Sequence, residues 1–449
     1  DRGLDGSRPD VMIVVDCGTN SKESIDHLKS LGILVIIIDH HKLTTEGSKN
    51  CILINPHVND LEDENQAWSE VSAAGLVFKF LHGLIKYRRE LKDPVADKIK
   101  LSQIIDLAGM GTIADLVPLQ GENRILAWYA LRHLRNNKRL GLLALLKESK
   151  VSNLETLSSA DISFRLAPRI NASGRLSDAS IPVELLLTES PEFAQKSAKE
   201  LGDLNNERQM IQRKMVDEAE SMISDLSSDQ SAYILHNKEW HPGVVGIVAS
   251  RLSRRLNRPC IILGNEGDTI KGSGRSVGGV DLVKVLTGCE LLLKHWGGHP
   301  MAVGISLSEE KLEAFSNTFN QVIDRIYPDG IPEPELNIAC WVNFEDLGDE
   351  LLEELSLLEP YGQMNPEPIL GLKRVMLRNE AITFANVHKR FSLIKEGQPE
   401  KWIEGIAWNF DSMPNANQPL DLAVRLEWNT WNNKKTSRVI LVDWKKSTI

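Results

Sequence analysis

Apolar residues change their rhythm three times along the chain. Val11 to Val15 and Ile33 to Ile38 are near-continuous runs of Val and Ile, the pattern of strands buried on both faces of a parallel sheet. Between them Ile25, Leu28 and Leu31 recur at helical spacing, with Ser21 placed to cap a helix and Gly32 placed to end it. This predicts a βαβ unit, extended by a short strand at Ile52–Ile54 that Pro56 stops. Helical periodicity follows over 69–91 and again over 98–110. Ser190 and Pro191 then open a mostly charged helical stretch to about Leu226. Its roughly 35 residues span roughly 50 Å, which predicts a helix connecting domains. A second α/β block covers Ser231 to Ile326, in which Gly272-Ser273-Gly274-Arg275 and Gly297-Gly298-His299 read as glycine loops. Beyond the linker Pro328–Pro334, short alternating segments separated by turns predict a small β-barrel.

Bulk composition narrows the class. A chain of 449 residues exceeds one ordinary core and points to about three domains. No apolar run is long enough to cross a bilayer, so no membrane partner is expected. Five scattered cysteines without a CxxC pair argue for a reducing, cytoplasmic setting and against structural zinc. The net charge of −10 means that any nucleic-acid surface must be a local basic patch. Six of the ten tryptophans (341, 402, 408, 428, 431, 444) fall in the barrel region among Lys389, Arg390, Lys401, Arg425, Lys434, Lys435 and Arg438. Aromatics among cations on a barrel suit single-strand binding, with burial in the barrel core as the alternative for each tryptophan.

Candidate chemistry collects where strands end. Asp16 closes the first strand, and Asp39, His40 and His41 close the second. Ligands of open parallel sheets bind beyond the carboxyl ends of the strands, and carboxylates with imidazoles suit Mn²⁺ or Mg²⁺. Capping and turn chemistry is the plainer alternative. Asp115, set in Gly111-Thr112-Ile113-Ala114-Asp115-Leu116-Val117-Pro118-Leu119, is costly among apolar neighbours unless paired with a cation or metal. Arg169, Asn171 and Arg175 in a segment broken by Pro168 and Gly174 form a candidate phosphate cradle; Arg275 and His299 offer a second one.

Val15-Asp16-Cys17-Gly18-Thr19-Asn20-Ser21, Asp39-His40-His41 and the segment 111–119 resemble the DHH phosphoesterase superfamily. The segments 167–176 and 240–252, with Gly297-Gly298-His299, narrow the resemblance to the RecJ family of single-strand-specific exonucleases. It implies an α/β fold: a parallel-sheet DHH domain (1–189), a long connecting helix (190–226), a smaller α/β DHH-associated domain (227–327) and a C-terminal OB-type β-barrel (328–449). It implies Asp16, His40 and Asp115 as ligands of a Mn²⁺ or Mg²⁺ pair, with Asp39 orienting an imidazole and His41 on the scissile phosphate. Arg169, Asn171 and Arg175 would meet substrate phosphates, with Arg275 and His299 across a cleft. The implied activity is metal-dependent 5′-to-3′ hydrolysis of single-stranded DNA to mononucleotides in recombination and repair. Implied partners are single-stranded DNA, with single-strand-binding protein and a helicase as candidate accessory factors, for a monomer. The alternatives are a non-catalytic single-strand-binding scaffold and a phosphodiesterase for small oligonucleotides or cyclic dinucleotides. The family's first motif, an Asp-x-Asp on a preceding strand, is not found in residues 1–10, so an incomplete metal site and low activity of this chain alone are expected.

Overall fold

A computed structural model describes residues 8–43, 47–58, 70–136, 139–151, 153–224, 230–267, 269–385, 387–410, 412–416, 418–431 and 434–447; the side chains at 430, 431 and 434 lie outside this description. The chain forms two compact units, one of Asp1–Asn137, Ser152–Phe164 and Asn337–Ile449, the other of Lys138–Val151 and Arg165–Leu336.

In the first unit, β1 (Val11–Val15), β2 (Leu34–Ile38) and β3 (Ile52–Ile54) form a parallel sheet in the order β1-β2-β3. The helix Lys22–Ser30 makes the expected crossover, packing Ile25 against Val35 and Ile37. Ser21 precedes it without a side-chain capping bond, and Gly32 (φ 76°) turns the chain out of the helix. β2 is buried as expected, but β1 is not buried on both faces: Val11, Ile13 and Val15 are 45, 56 and 44% exposed. Among the described residues β1 pairs only with β2, and the crossover helix packs on the Val14 side.

The helix Ala73–Glu90 packs on β2, Ile105–Ala114 packs on that helix, and Gly121–Arg135 packs on Ile105–Ala114. Two glycines set how closely they approach. A Cβ at Gly109 would lie 2.2 Å from the Ala130 methyl and 2.5 Å from the Leu126 carbonyl; one at Gly111 would lie 2.5 Å from the Ala74 methyl. The helix that ends at Asp115 is thus clamped between two others. Gly109→Ala is expected to lower stability by about 1–3 kcal/mol through overpacking, readable as a lowered thermal midpoint.

The second unit carries β4 (Tyr233–His236), β5 (Cys260–Glu266), β6 (Thr269–Arg275), β7 (His295–His299) and β8 (Ala302–Leu307), in the order β4-β5-β6-β8-β7. The β4/β5 pair is parallel and the others antiparallel. The Gly-Ser-Gly-Arg and Gly-Gly-His segments are therefore strands and not loops. Glycine is required inside β6 because a Cβ at Gly272 would sit 2.3 Å from the Ile262 carbonyl. The long helix is Pro191–Ser224, 34 residues. It is not a solvated rod: Ala194, Ala198, Leu201, Met215, Val216 and Ala219 form a buried stripe along it.

The C-terminal strands return to the first unit: β9 (Cys340–Trp341), β10 (Leu370–Leu377), β11 (Ile382–Phe384), β12 (His388–Lys395), β13 (Gln398–Ala407), β14 (Leu420–Trp431) and β15 (Lys434–Lys446). The sheet order is β11-β12-β13-β15-β14-β10-β9, and a further β10–β12 pairing closes β10, β12, β13, β15 and β14 into a ring. A five-stranded closed ring in this order is the OB architecture. The barrel is stitched to the loop beyond Asp115: the Leu119 amide donates to the Gln363 carbonyl at 2.7 Å and Arg124 to the Leu358 carbonyl at 2.7 Å.

Candidate metal centre and anion cavity

β1, β2 and the helix Ile105–Ala114 deliver their terminal residues to one place. Asp16 follows β1 with φ 63°, a left-handed conformation unusual for a residue with a Cβ. Leu116, immediately after Asp115, has φ 58°. Both carboxylates thus stand at or beside positive-φ positions, where strain collects at functional sites. His40 Nε2 lies 3.3 Å from Asp16 Oδ1 and 3.5 Å from Asp115 Oδ2. Ligands at about 2.1 Å from a divalent ion stand about 3 Å from one another, so each of the two carboxylate oxygens stands from His40 Nε2 at a separation that a bridging cation spans. Ligand atoms of Asp16, His40 and His41 all fall within 4.8 Å of each other. Two carboxylate oxygens and one imidazole suit Mn²⁺ or Mg²⁺ better than a thiolate-seeking metal.

Electrostatics favours a cation here. The hydrogen bond to Asp16 raises the His40 pKa against the effect of burial, helped by the charges of Asp115, Asp16 and Asp39. Burial raises the Asp115 pKa, His40 opposing and Asp16 adding to it. Asp115 also caps the C-terminus of its helix, where the helix dipole disfavours an anion and welcomes a positive charge beside it.

Asp39 does something different. It is 1% exposed, and its Oδ1 accepts the His40 amide (2.8 Å) and the His41 ring Nδ1 (2.7 Å), while Oδ2 accepts the Thr19 amide (3.0 Å). Burial works against its charge, but the bonds from Thr19 and His41 outweigh it and hold the carboxyl well below the usual range. With Nδ1 tied to Asp39, the half-exposed His41 ring presents Nε2 outward. Asn55, buried at the end of β3, completes the frame: its amide donates to Thr19 Oγ1 (2.8 Å) and to the His41 carbonyl (2.9 Å). Thr19 and Asn55 escaped the sequence reading, although Asn55 ends a strand at the same edge of the sheet as Asp16 and Asp39.

In the second unit, Arg175, Ser273 and Arg275 line one end of a cavity of about 710 Å³. The Arg275 guanidinium donates to Ser273 Oγ (2.6 Å), and Arg175 donates to the Gly243 carbonyl (2.8 Å). Burial depresses the pKa of Arg175, Arg275 and Arg208, and the charge of Arg175 depresses the latter two further. Arg208, on the long helix, is held by Asn205 Oδ1 and Gln212 Oε1. Three cations repelling one another with neutral hydrogen-bond partners make an anion site. Arg208 was missed because a buried arginine inside a charged helix reads like a solvated face. His299 is exposed on the Arg275 face of the sheet, across Ala302. Arg169 instead reaches the Arg165 carbonyl (2.6 Å), and Asn171 is exposed on the helix Ala167–Leu176; neither lines this cavity.

On the barrel, Trp341, Trp402 and Trp408 are 50, 51 and 42% exposed, and so are not core residues. Trp408 packs edge-on to His388 and Phe384 beside a cavity lined by Arg390, Asn429 and Arg438. Lys373 stands over Trp341, Arg378 over Trp402 and Lys435 over Trp428, each within cation–π distance.

Comparison with known proteins places these sites in context. Residues 2–112 match the DHH family N-terminal domain, 229–325 the DHHA1 domain and 338–443 the RecJ OB domain. The chain is 34% identical over 441 residues to the single-stranded-DNA-specific exonuclease RecJ of Bacillus subtilis, covering 96% of this chain and 53% of that one. It is 32% identical to the RecJ of Salmonella typhimurium, covering 96% of this chain and 77% of the relative. The chain thus spans about half of the first relative's length and about three quarters of the second's. The crystal structure of RecJ from Thermus thermophilus in complex with Mn²⁺ superposes with a TM-score of 0.82 at 30% identity, covering 99% of this chain and 63% of that one.

Proposed function

The chain belongs to the RecJ family, and from that premise we propose that it hydrolyses phosphodiester bonds of single-stranded DNA from the 5′ end, releasing mononucleotides, with Mn²⁺ or Mg²⁺ as cofactor. The observation that carries this reading is that Asp16 and Asp115 both meet His40 Nε2 beside the His41 ring oriented by Asp39, with ligand atoms of Asp16, His40 and His41 within 4.8 Å of one another. Asp16, His40 and Asp115 would hold the metal, which would supply polarisation of the phosphate and a lowered pKa for the attacking water. His41, held through Nδ1 by Asp39, turns Nε2 to a non-bridging oxygen of the scissile phosphate and, when protonated, donates to it as charge develops. Arg175, Ser273 and Arg275, supported by Arg208, hold a substrate phosphate, and the exposed barrel tryptophans stack bases further along the strand.

An end-labelled single-stranded oligonucleotide tests this directly. Mononucleotides should accumulate with Mn²⁺, at the low rate expected while the Asp-x-Asp motif is unmatched, stop on chelation, and not form from the same sequence in a duplex. Absence of metal-dependent cleavage, or equal cleavage of duplex, would refute it. Single-strand-binding protein and a helicase as accessory partners and a monomeric state rest on the family resemblance, and a cytoplasmic setting on the scattered, unpaired cysteine pattern of the sequence; no helix among the described residues is long and apolar enough to cross a membrane.

The barrel's share is testable by point substitution and not by truncation, because its 358–365 segment braces the loop after Asp115. Trp408→Ala should weaken single-strand binding by about 1–3 kcal/mol, the scale of one stacked base. Arg390→Ala should lower the salt slope of binding by about one unit. Fluorescence titration across a salt series reads both, and unchanged affinity in Trp408→Ala would remove Trp408 from the binding surface.

A further inference from the structure

Between the helix Asp349–Ser356 and β10, every main-chain carbonyl from Leu358 to Met364 accepts a hydrogen bond from the protein. A connecting segment ordinarily leaves such groups to water. The donors come from two sides. On the barrel side, the Asn365 side-chain amide donates to the carbonyls of Leu358 (3.0 Å) and Pro360 (2.8 Å). Gly362 and Asn365 also exchange backbone bonds at 2.9 and 3.2 Å. From the other side, Arg124 donates to Leu358 (2.7 Å) and Glu359 (3.4 Å), and Ser159 Oγ to Tyr361 (2.5 Å). The Leu119 amide donates to Gln363 (2.7 Å), and the Gln120 side chain to Met364 (3.1 Å). Asn365 thus closes the segment into a strap, and the strap's carbonyls grip the loop after Asp115.

That loop needs to be held. Leu116 sits at φ 58°, a conformation disfavoured for any residue with a Cβ and kept only where the surroundings impose it. Its side chain is 62% exposed, so packing of Leu116 itself does not impose the turn. The hold lies downstream. Val117 and Leu119 are buried, and Asn123 donates to the Pro118 carbonyl at 2.9 Å. The strap ties the next two residues, Leu119 and Gln120, and packs on the first of them: a Cβ at Gly362 would lie 2.7 Å from Leu119 Cδ1.

Asp115 stands immediately before this turn, with Oδ2 at 3.5 Å from His40 Nε2. Any relaxation of Leu116 toward an ordinary backbone conformation therefore swings that carboxylate away from His40. We propose that the strap, locked by Asn365, positions Asp115 for metal binding, so that the C-terminal barrel sets the cation affinity of a site built by the N-terminal sheet. This rests on the metal reading given above. Asn365 is a positioning residue and not a ligand: it acts on Asp115 through Gln363 and Leu119, more than 240 residues apart in sequence.

The test is calorimetric Mn²⁺ titration of the full chain. Asn365→Asp keeps the side chain's shape but replaces the donating amide with an acceptor that repels the Leu358 and Pro360 carbonyls. It should lower Mn²⁺ affinity about tenfold, the scale of losing a group that orients a metal ligand. Gln120→Glu, at an exposed position, removes only the bond to Met364 and should lower affinity about threefold, the scale of one hydrogen bond. It carries the test should Asn365→Asp fail to fold. In both variants single-strand affinity measured in chelator should stay within about twofold, and excess Mn²⁺ should return hydrolysis to the parent rate. A merely structural lesion would not respond to metal. Unchanged Mn²⁺ affinity in the folded variants, or lost hydrolysis that excess Mn²⁺ does not restore, overturns the positioning role alone. No Mn²⁺ binding by the parent chain, or affinity unchanged by Asp115→Ala, overturns the metal reading and the strap's role with it.

Discussion

His40→Ala should abolish both Mn²⁺ binding and hydrolysis, whereas His41→Ala should abolish hydrolysis alone. The two residues are neighbours in sequence but face different partners. His40 Nε2 is 3.3 Å from Asp16 and 3.5 Å from Asp115, so its removal deletes the donor that joins the two carboxylates. His41 is bonded through Nδ1 to Asp39, so its outward Nε2 serves the substrate. Groups that act in the transition state contribute roughly 100-fold or more, and both variants should lose at least that in turnover of single-stranded DNA. Calorimetric Mn²⁺ titration separates them: His41→Ala should keep affinity within about tenfold of the parent, about 1.4 kcal/mol. Equal loss of metal in both variants would show that His41 is a ligand and not a phosphate contact.

Asp39→Asn should be the most damaging single-atom exchange in the chain. The carboxylate is buried, and both of its oxygens accept from backbone or ring N–H groups of Thr19, His40 and His41. An amide supplies one acceptor and turns its NH₂ toward a donor, so either the Thr19 amide or the His41 ring loses its bond. Stability should fall by about 2–3 kcal/mol, the scale of charge-assisted hydrogen bonds lost in a buried site. Turnover should fall roughly 100-fold or more because His41 is no longer held in one orientation. Mn²⁺ affinity should change far less, since Asp39 presents no free oxygen to the metal. Thermal melts and single-turnover hydrolysis check the pair of effects; an unchanged melting midpoint would mean that the Thr19–Asp39–His41 frame does not hold the fold.

Much of this was written in local pattern. Unbroken Val and Ile runs with polar residues at their ends specify parallel strands and place Asp16, Asp39, His40 and His41 at one edge of a sheet, because strand direction alone fixes which end carries the site. The rest depends on partners distant in sequence, which periodicity does not carry. That Asp39 holds the ring of His41, and of His40 only the backbone amide, is a matter of ring orientation. The Lys-Gly-Ser-Gly-Arg and Gly-Gly-His segments are strands because β6 pairs with β5 and β8, and β7 with β8; composition reads both segments as loop. The barrel, set off in sequence by the proline-rich linker, is tied to the loop after Asp115 by the backbone bond from Leu119 to Gln363. Sequence alone determined the elements and the chemistry at their ends; tertiary packing decided which polar groups meet, because hydrogen-bond partners are chosen by approach in space and not by spacing along the chain.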